Sequence, residues 1–69
     1  MIERYQFTNS SMLASCEYNT TERELTVTFS NGKDYVYVDV DKQIYDDLID
    51  APSAGKHFNS IKAGLVQKS

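Results

Sequence analysis

The side chains able to do chemistry in this chain are few and fall into four groups. The first is a single thiol and a single imidazole, Cys16 and His57. A nucleophilic pair needs an exposed thiol with a depressed pKa. Cys16 lies in a run that alternates as a strand and is expected to face a core, where cysteine acts as a small hydrophobe. No catalytic residue is expected, and the chain is read as a non-enzyme. The second group is acidic: Asp39, Asp41, Asp46, Asp47 and Asp50. Gathered together, they would hold a hard cation. Their spacing lacks the glycine-containing calcium loop, and a helix would spread them around its surface. A solvated acidic face is expected, with no metal site and no cofactor.

The third group is Ser53-Ala54-Gly55-Lys56-His57 with Asn59 and Lys62. It opens a helix, and helix N-termini present free N–H groups and partial positive charge. Gly55 would let a ligand near the backbone, and Lys56 and Lys62 would supply charge, so a phosphate or carboxylate could dock there. The plainer reading is a serine cap, a glycine that allows close packing, and Asn59 as either a surface amide or a hydrogen-bonding partner for the preceding loop. The fourth group is Tyr35 and Tyr37, which share one face of a strand. They are either half of a small core or an exposed platform for stacking a ligand.

These residues need a scaffold, and its key is Phe29-Ser30-Asn31-Gly32-Lys33-Asp34-Tyr35-Val36-Tyr37. Asn-Gly tolerates the positive φ of a tight hairpin turn. In a two-residue turn Thr28 pairs with Tyr35, so Leu25, Val27 and Phe29 lie with Val36 and Val38, leaving the tyrosines outside. In a three-residue turn with a glycine bulge, Val27 pairs with Tyr35 and the tyrosines join the core. Both registers stay open at this point.

Period-two alternation predicts a strand over 12–19, with Met12, Ala14, Cys16 and Tyr18 on one face and Leu13, Ser15 and Glu17 on the other. Two more strands are predicted over 24–29 and 34–40, rich in β-branched and aromatic residues. A short strand around Tyr5 and Phe7 is allowed by their alternation with Arg4 and Gln6. From Asp41 the period lengthens, and Ile44, Tyr45, Leu48 and Ile49 form a helical stripe capped by Asp39 or Asp41 and stopped by Pro52. Ala54, Phe58, Ile61 and Leu65 predict a second helix, stopped near Gly64, with the tail from Leu65 fraying. The expected fold is α+β: a three-stranded antiparallel meander followed by two short helices packed on one face.

The chain has 69 residues and reads as one domain over 1–69, with its core at about 10–65. A domain this small buries only about 60% of its unfolded surface. It has no disulfide to help, so packing or a second chain must stabilise it. The net charge is −3, which argues against broad adhesion to nucleic acid. The charge is uneven, because no acid follows Asp50, only Lys56, His57, Lys62 and Lys68. From the opening residues no signal peptide is expected, and no stretch reaches the roughly 18–20 apolar residues of a membrane span. With one cysteine, a cytoplasmic protein is expected.

The ordered set of Tyr18; Leu25, Val27 and Phe29 with Asn31-Gly32; Tyr35 and Tyr37; Val40; Ile44-Tyr45; and Ala51, Ser53, Gly55, His57, Phe58, Asn59 and Ile61 resembles the KTSC domain. That module occurs at the C-terminus of some lysyl-tRNA synthetases and as stand-alone bacterial and phage proteins. Lys62 keeps a basic residue after Ile61. The chain departs where the family often has glycine, at Glu17 and near Asp39, where it has proline, at Asp41, and where it ends in an aromatic, at Leu65. The resemblance implies no catalysis. Through the synthetase context it implies association with RNA or tRNA, with Tyr35 and Tyr37 stacking bases and Lys56 and Lys62 meeting phosphate. The alternative is a protein-interaction module or bacterial or phage accessory factor, including a homodimer, motivated by the acidic charge and small core.

Overall fold

The computed structural model describes residues 1–8 and 10–68. Five strands form one antiparallel sheet in the order β1-β2-β3-β4-β5: β1 Ile2–Gln6, β2 Leu13–Asn19, β3 Glu24–Phe29, β4 Asp34–Val38 and β5 Val66–Gln67. Helices α1 (Lys42–Asp50) and α2 (Ala54–Ile61) and a 3₁₀ turn (Lys62–Gly64) lie between β4 and β5. The fold is α+β as expected, but the three-stranded sheet is corrected to five strands. β1 adds to the outer side of β2, Ile2 opposite Asn19 and Gln6 opposite Ser15. Within the described residues the tail does not fray, while Ser69 lies outside them. Val66 pairs with Val38 and Gln67 with Tyr37, while the Lys68 N–H donates to the Val36 carbonyl at 2.7 Å.

The hairpin takes the glycine-bulge register, with Val27 opposite Tyr35 and Leu25 opposite Tyr37. The Gly32 N–H donates to the Phe29 carbonyl at 2.9 Å and the Phe29 N–H to the Lys33 carbonyl at 2.8 Å. Gly32 takes φ +89°, which a side chain rarely adopts. The tyrosines therefore turn toward the helices. Val36 and Val38 are left half-buried on the open face beside exposed Val66.

A second irregularity corrects the expected face of Leu13. Leu13 pairs with Phe29 but Ser15 pairs with Thr28, so Ala14 is an extra residue in β2. That bulge shifts the alternation by one. Leu13 thereby joins Cys16 and Tyr18 in the core, each nearly inaccessible to solvent.

The core lies between the sheet and the helices, built from Leu13, Cys16, Tyr18, Leu25, Val27, Tyr37 and Val40 against Tyr45 and Leu48 of α1 and Ala54 and Phe58 of α2. Tyr18 stacks on Tyr45 with ring centres 5.5 Å apart, and its hydroxyl donates to the Val40 carbonyl at 2.6 Å. A buried hydroxyl thus keeps its partner while its ring supplies apolar contact. Among the described residues, no helix is long and apolar enough to cross a membrane.

The start of α1 also differs from expectation. Asp41 occupies the N-cap position, but its side chain makes no capping bond and pairs instead with Arg23. Asp39 does not cap either; it sits at φ +55°. At the other end, Ala51 is extended (ψ 137°) before Pro52, as proline demands of its predecessor. The left-handed backbone at Asp39 makes a prediction. Asp39 is exposed, and left-handed geometry disfavours residues with a Cβ. Asp39→Gly is expected to stabilise the fold by about 0.5–1 kcal/mol, and Asp39→Val to destabilise it. Urea midpoints of the two variants measure this; a lower midpoint for the glycine variant contradicts the account.

Candidate nucleic-acid interface

Helix α2 carries most of the candidate residues. Ser53 stands at its N-cap with extended backbone (φ −133°), but its side chain makes no capping bond. Its carbonyl starts the helix by accepting from the His57 N–H at 3.0 Å. Ala54 and Phe58, four residues apart, set the inner face. Lys56, Asn59 and Lys62 then follow at intervals of three on the outer side, and all three are exposed. Residues three apart are neighbours on a helix, so these side chains form one polar strip.

Gly55 is half-buried. The direction a Cβ would take from it meets Ser10 Oγ at 3.4 Å and Met12 carbons at 3.6 Å. The connection between β1 and β2 therefore occupies the space expected for a ligand. Ser10 Oγ is itself engaged, accepting from the N–H groups of Met12 and Leu13.

The tyrosines lie on the opposite side of α2 from the strip. Tyr37 is 8% exposed, with its ring set edge-on to Phe58 at 5.8 Å. Burial, and then the neighbouring Tyr35, raise its pKa above the ordinary tyrosine value. The platform alternative thus fails for Tyr37. Tyr35 is half-buried, its ring edge-on to Phe29 at 5.3 Å, which leaves it at the rim of the core. The structure brings together Lys56, Asn59 and Lys62, places Ser53 at the other end of their helix, and separates them from Tyr37.

Charge pairing separates the two strip lysines, together with Lys33 in the hairpin turn, from the other basic side chains. Arg4 pairs with Glu17, Arg23 with Asp41, Lys42 with Glu3 and Asp46, and Lys68 with Glu24. Among the described residues Lys56 and Lys62 have no carboxylate within ion-pair distance, and neither has Lys33. Sequence order alone could not reveal this, because pairs such as Lys68 with Glu24 depend on strand order. The acids of α1 are partly consumed at home: Asp46 by Lys42 at 2.9 Å, and Asp47 by the Gln43 amide at 2.8 Å. The Asp46 hydrogen bond is the main reason the Lys42 pKa is raised. Among the described residues, no three acidic, histidine or cysteine side chains gather as metal ligands. Cys16 is buried in β2, and burial pushes its thiol up to about 12, a poor nucleophile.

The comparisons with known proteins agree with this architecture. The model of the KTSC domain family matches residues 9–63. A protein of Tsukamurella paurometabola is 35% identical over 52 residues, covering 75% of this chain and 78% of that protein. An uncharacterized protein of Stutzerimonas stutzeri is 38% identical over 52 residues, covering 75% and 73%. A lysine–tRNA ligase of Nostoc punctiforme is 35% identical over 54 residues, which are 78% of this chain but 10% of the ligase. The crystal structure of a KTSC domain protein from Yersinia pestis superposes with a TM-score of 0.88, covering 100% of this chain and 97% of the other at 24% identity. That likeness shows the same fold, sheet and helices together. With most of the chain matched by the family model and the same order of strands and helices built around it, the chain belongs to the KTSC domain family.

Proposed function

We propose that this domain is a non-catalytic binding module that takes the phosphate backbone of RNA on the outer strip of α2. The observation that carries the reading is the unpaired state of Lys56 and Lys62 beside Asn59. A lysine already held by a carboxylate must lose that partner to meet phosphate, and these two need not. The occurrence of a similar segment in a lysine–tRNA ligase supports RNA as the polyanion. The net charge of −3 makes the binding weak and local, because the rest of the surface repels a polyanion. Tyr37 takes no part. Tyr35 is the one aromatic of the original pair with a partly open ring.

Titration of labelled protein with tRNA at low salt is expected to move the amide resonances of Lys56, Asn59 and Lys62. Each Lys→Ala change on the strip is expected to reduce the salt slope by about 0.7–1. Unmoved resonances along α2 at low salt contradict the proposal. A second reading, a protein partner or second copy, draws on Val36, Val38 and Val66 lying together on the open sheet face. Sedimentation equilibrium and shifts confined to β4 and β5 would favour it.

A further inference from the structure

We infer that Asn31-Gly32 is a site of spontaneous deamidation, and that the folded hairpin restrains the reaction by engaging both reacting groups in other hydrogen bonds. In the reaction the Gly32 backbone nitrogen attacks the Asn31 side-chain carbonyl carbon and loses its proton to solvent base. A C–N bond closes a five-membered succinimide, and ammonia leaves with the former amide nitrogen. Water then adds to either ring carbonyl and opens the ring to aspartate or isoaspartate. Glycine is the most permissive neighbour, since it puts no side chain beside the attacking nitrogen. Here Asn31 and Gly32 are both exposed, and apart from Gly32's own chain neighbours nothing lies within 4 Å of the position a Gly32 Cβ would take. Solvent base and water therefore reach the site.

The turn, however, engages each reactant elsewhere. The Gly32 N–H donates to the Phe29 carbonyl at 2.9 Å. Asn31 Oδ1 accepts from the Lys33 N–H at 3.0 Å. Closing the ring requires the nitrogen to leave Phe29 and the Asn31 backbone and side chain to rotate out of the turn. The Phe29 N–H to Lys33 carbonyl bond at 2.8 Å clamps the two ends of the loop against that motion. Reaction thus proceeds through local opening of the hairpin. An isoaspartate product would place an extra methylene in the backbone of the loop that sets the register of β3 and β4, and so the burial of Tyr37.

The test is a comparison of rates at mildly alkaline pH. The folded protein, the same protein in concentrated urea and a short peptide spanning 28–35 are incubated together. Peptide mapping follows the amide-to-acid mass gain at Asn31. The folded protein is expected to react at least about tenfold more slowly than the peptide and the urea-unfolded chain, as local opening before reaction requires. Equal rates in the folded protein and the peptide would overturn the restraint. Absence of conversion at Asn31 in the peptide would overturn the site itself.

Discussion

Phe58→Ala is expected to unfold most of the domain under conditions where the native protein is folded. Phe58 is 1% exposed and is the ring on which two parts of the sheet meet. Its ring lies edge-on to Phe29 at 5.7 Å and to Tyr37 at 5.8 Å. Removing a buried phenylalanine typically costs about 3–5 kcal/mol. A domain of this size has in all about 3–10 kcal/mol. The loss is therefore comparable with the whole stability, and little else in the fold can absorb it. No disulfide stands in reserve, since Cys16 is free. Phe58→Leu keeps most of the volume and should cost less than about 1.5 kcal/mol, so it lowers the urea midpoint but keeps a dispersed amide spectrum. Lys56→Ala, on the outer face of the same helix, should stay within about 0.5 kcal/mol of the native protein. If Phe58→Ala keeps a native urea midpoint, the packing of α2 on the tyrosine face is wrong.

The dependence of α2 on one aromatic residue also shows what a reader of the sequence could recover. Helical spacing of Ala54 and Phe58 is a local pattern, and it identified the buried side of α2 because only a helix was in question. The registers of the sheet are different. Asn31-Gly32 announced a hairpin, but two turns of one residue's difference put Tyr35 and Tyr37 on opposite faces. Alternation could not decide between them, because Val36 and Val38 are as good a buried pair as the tyrosines. The decision depends on Phe58 packing its ring against both Phe29 and Tyr37, contacts between a helix and strands well separated from it in the chain. Ala14 was hidden for a related reason. A bulge adds one small residue and leaves no mark of its own, yet it turns Leu13 from the open face to the core.

Short edge elements were the least legible. β5 has two residues, too few for a period, and exists because Val38 and Tyr37 offer it an unpaired edge. Asp39 shows the opposite case. Its departure from a family glycine was visible in the sequence, and the structure attaches a physical meaning to it, a left-handed backbone at φ +55°. The candidate strip on α2 was half legible. Lys56, Asn59 and Lys62 were named from type and position, but their freedom from carboxylates follows from where Glu3, Glu17, Glu24, Asp41 and Asp46 lie in space. The packing at Gly55 could not be read from the sequence, because the neighbours that meet it, Ser10 and Met12, come from the first strand connection, far away in the chain.

The same burial that organises the core sets how the domain responds to alkali. Cys16 would ionise near 9.0 if unconstrained, and burial raises it to about 12 in the fold. Between those values the unfolded chain releases its proton while the folded chain keeps it. The folded state then binds more protons, so stability falls as pH rises through this window and is unaffected by the thiol below it. Each pKa unit is worth about 1.4 kcal/mol, which makes the thiol's share at most roughly 4 kcal/mol near pH 12. Tyr37 and Tyr45, also raised mainly by burial, act in the same direction from about 10 upward. Urea midpoints measured from neutral pH to about 12 should therefore fall steeply above about 9. Cys16→Ala should start less stable, because it removes buried volume, yet decline more gently, because the steep share carried by the thiol is gone while Tyr37, Tyr45 and Lys42 still titrate. Parallel curves for the two proteins would show that the thiol is not carrying the effect. The same thiol should be inert to a disulfide reagent at neutral pH and react once urea opens the core, since a protonated, buried sulfur offers neither nucleophile nor access.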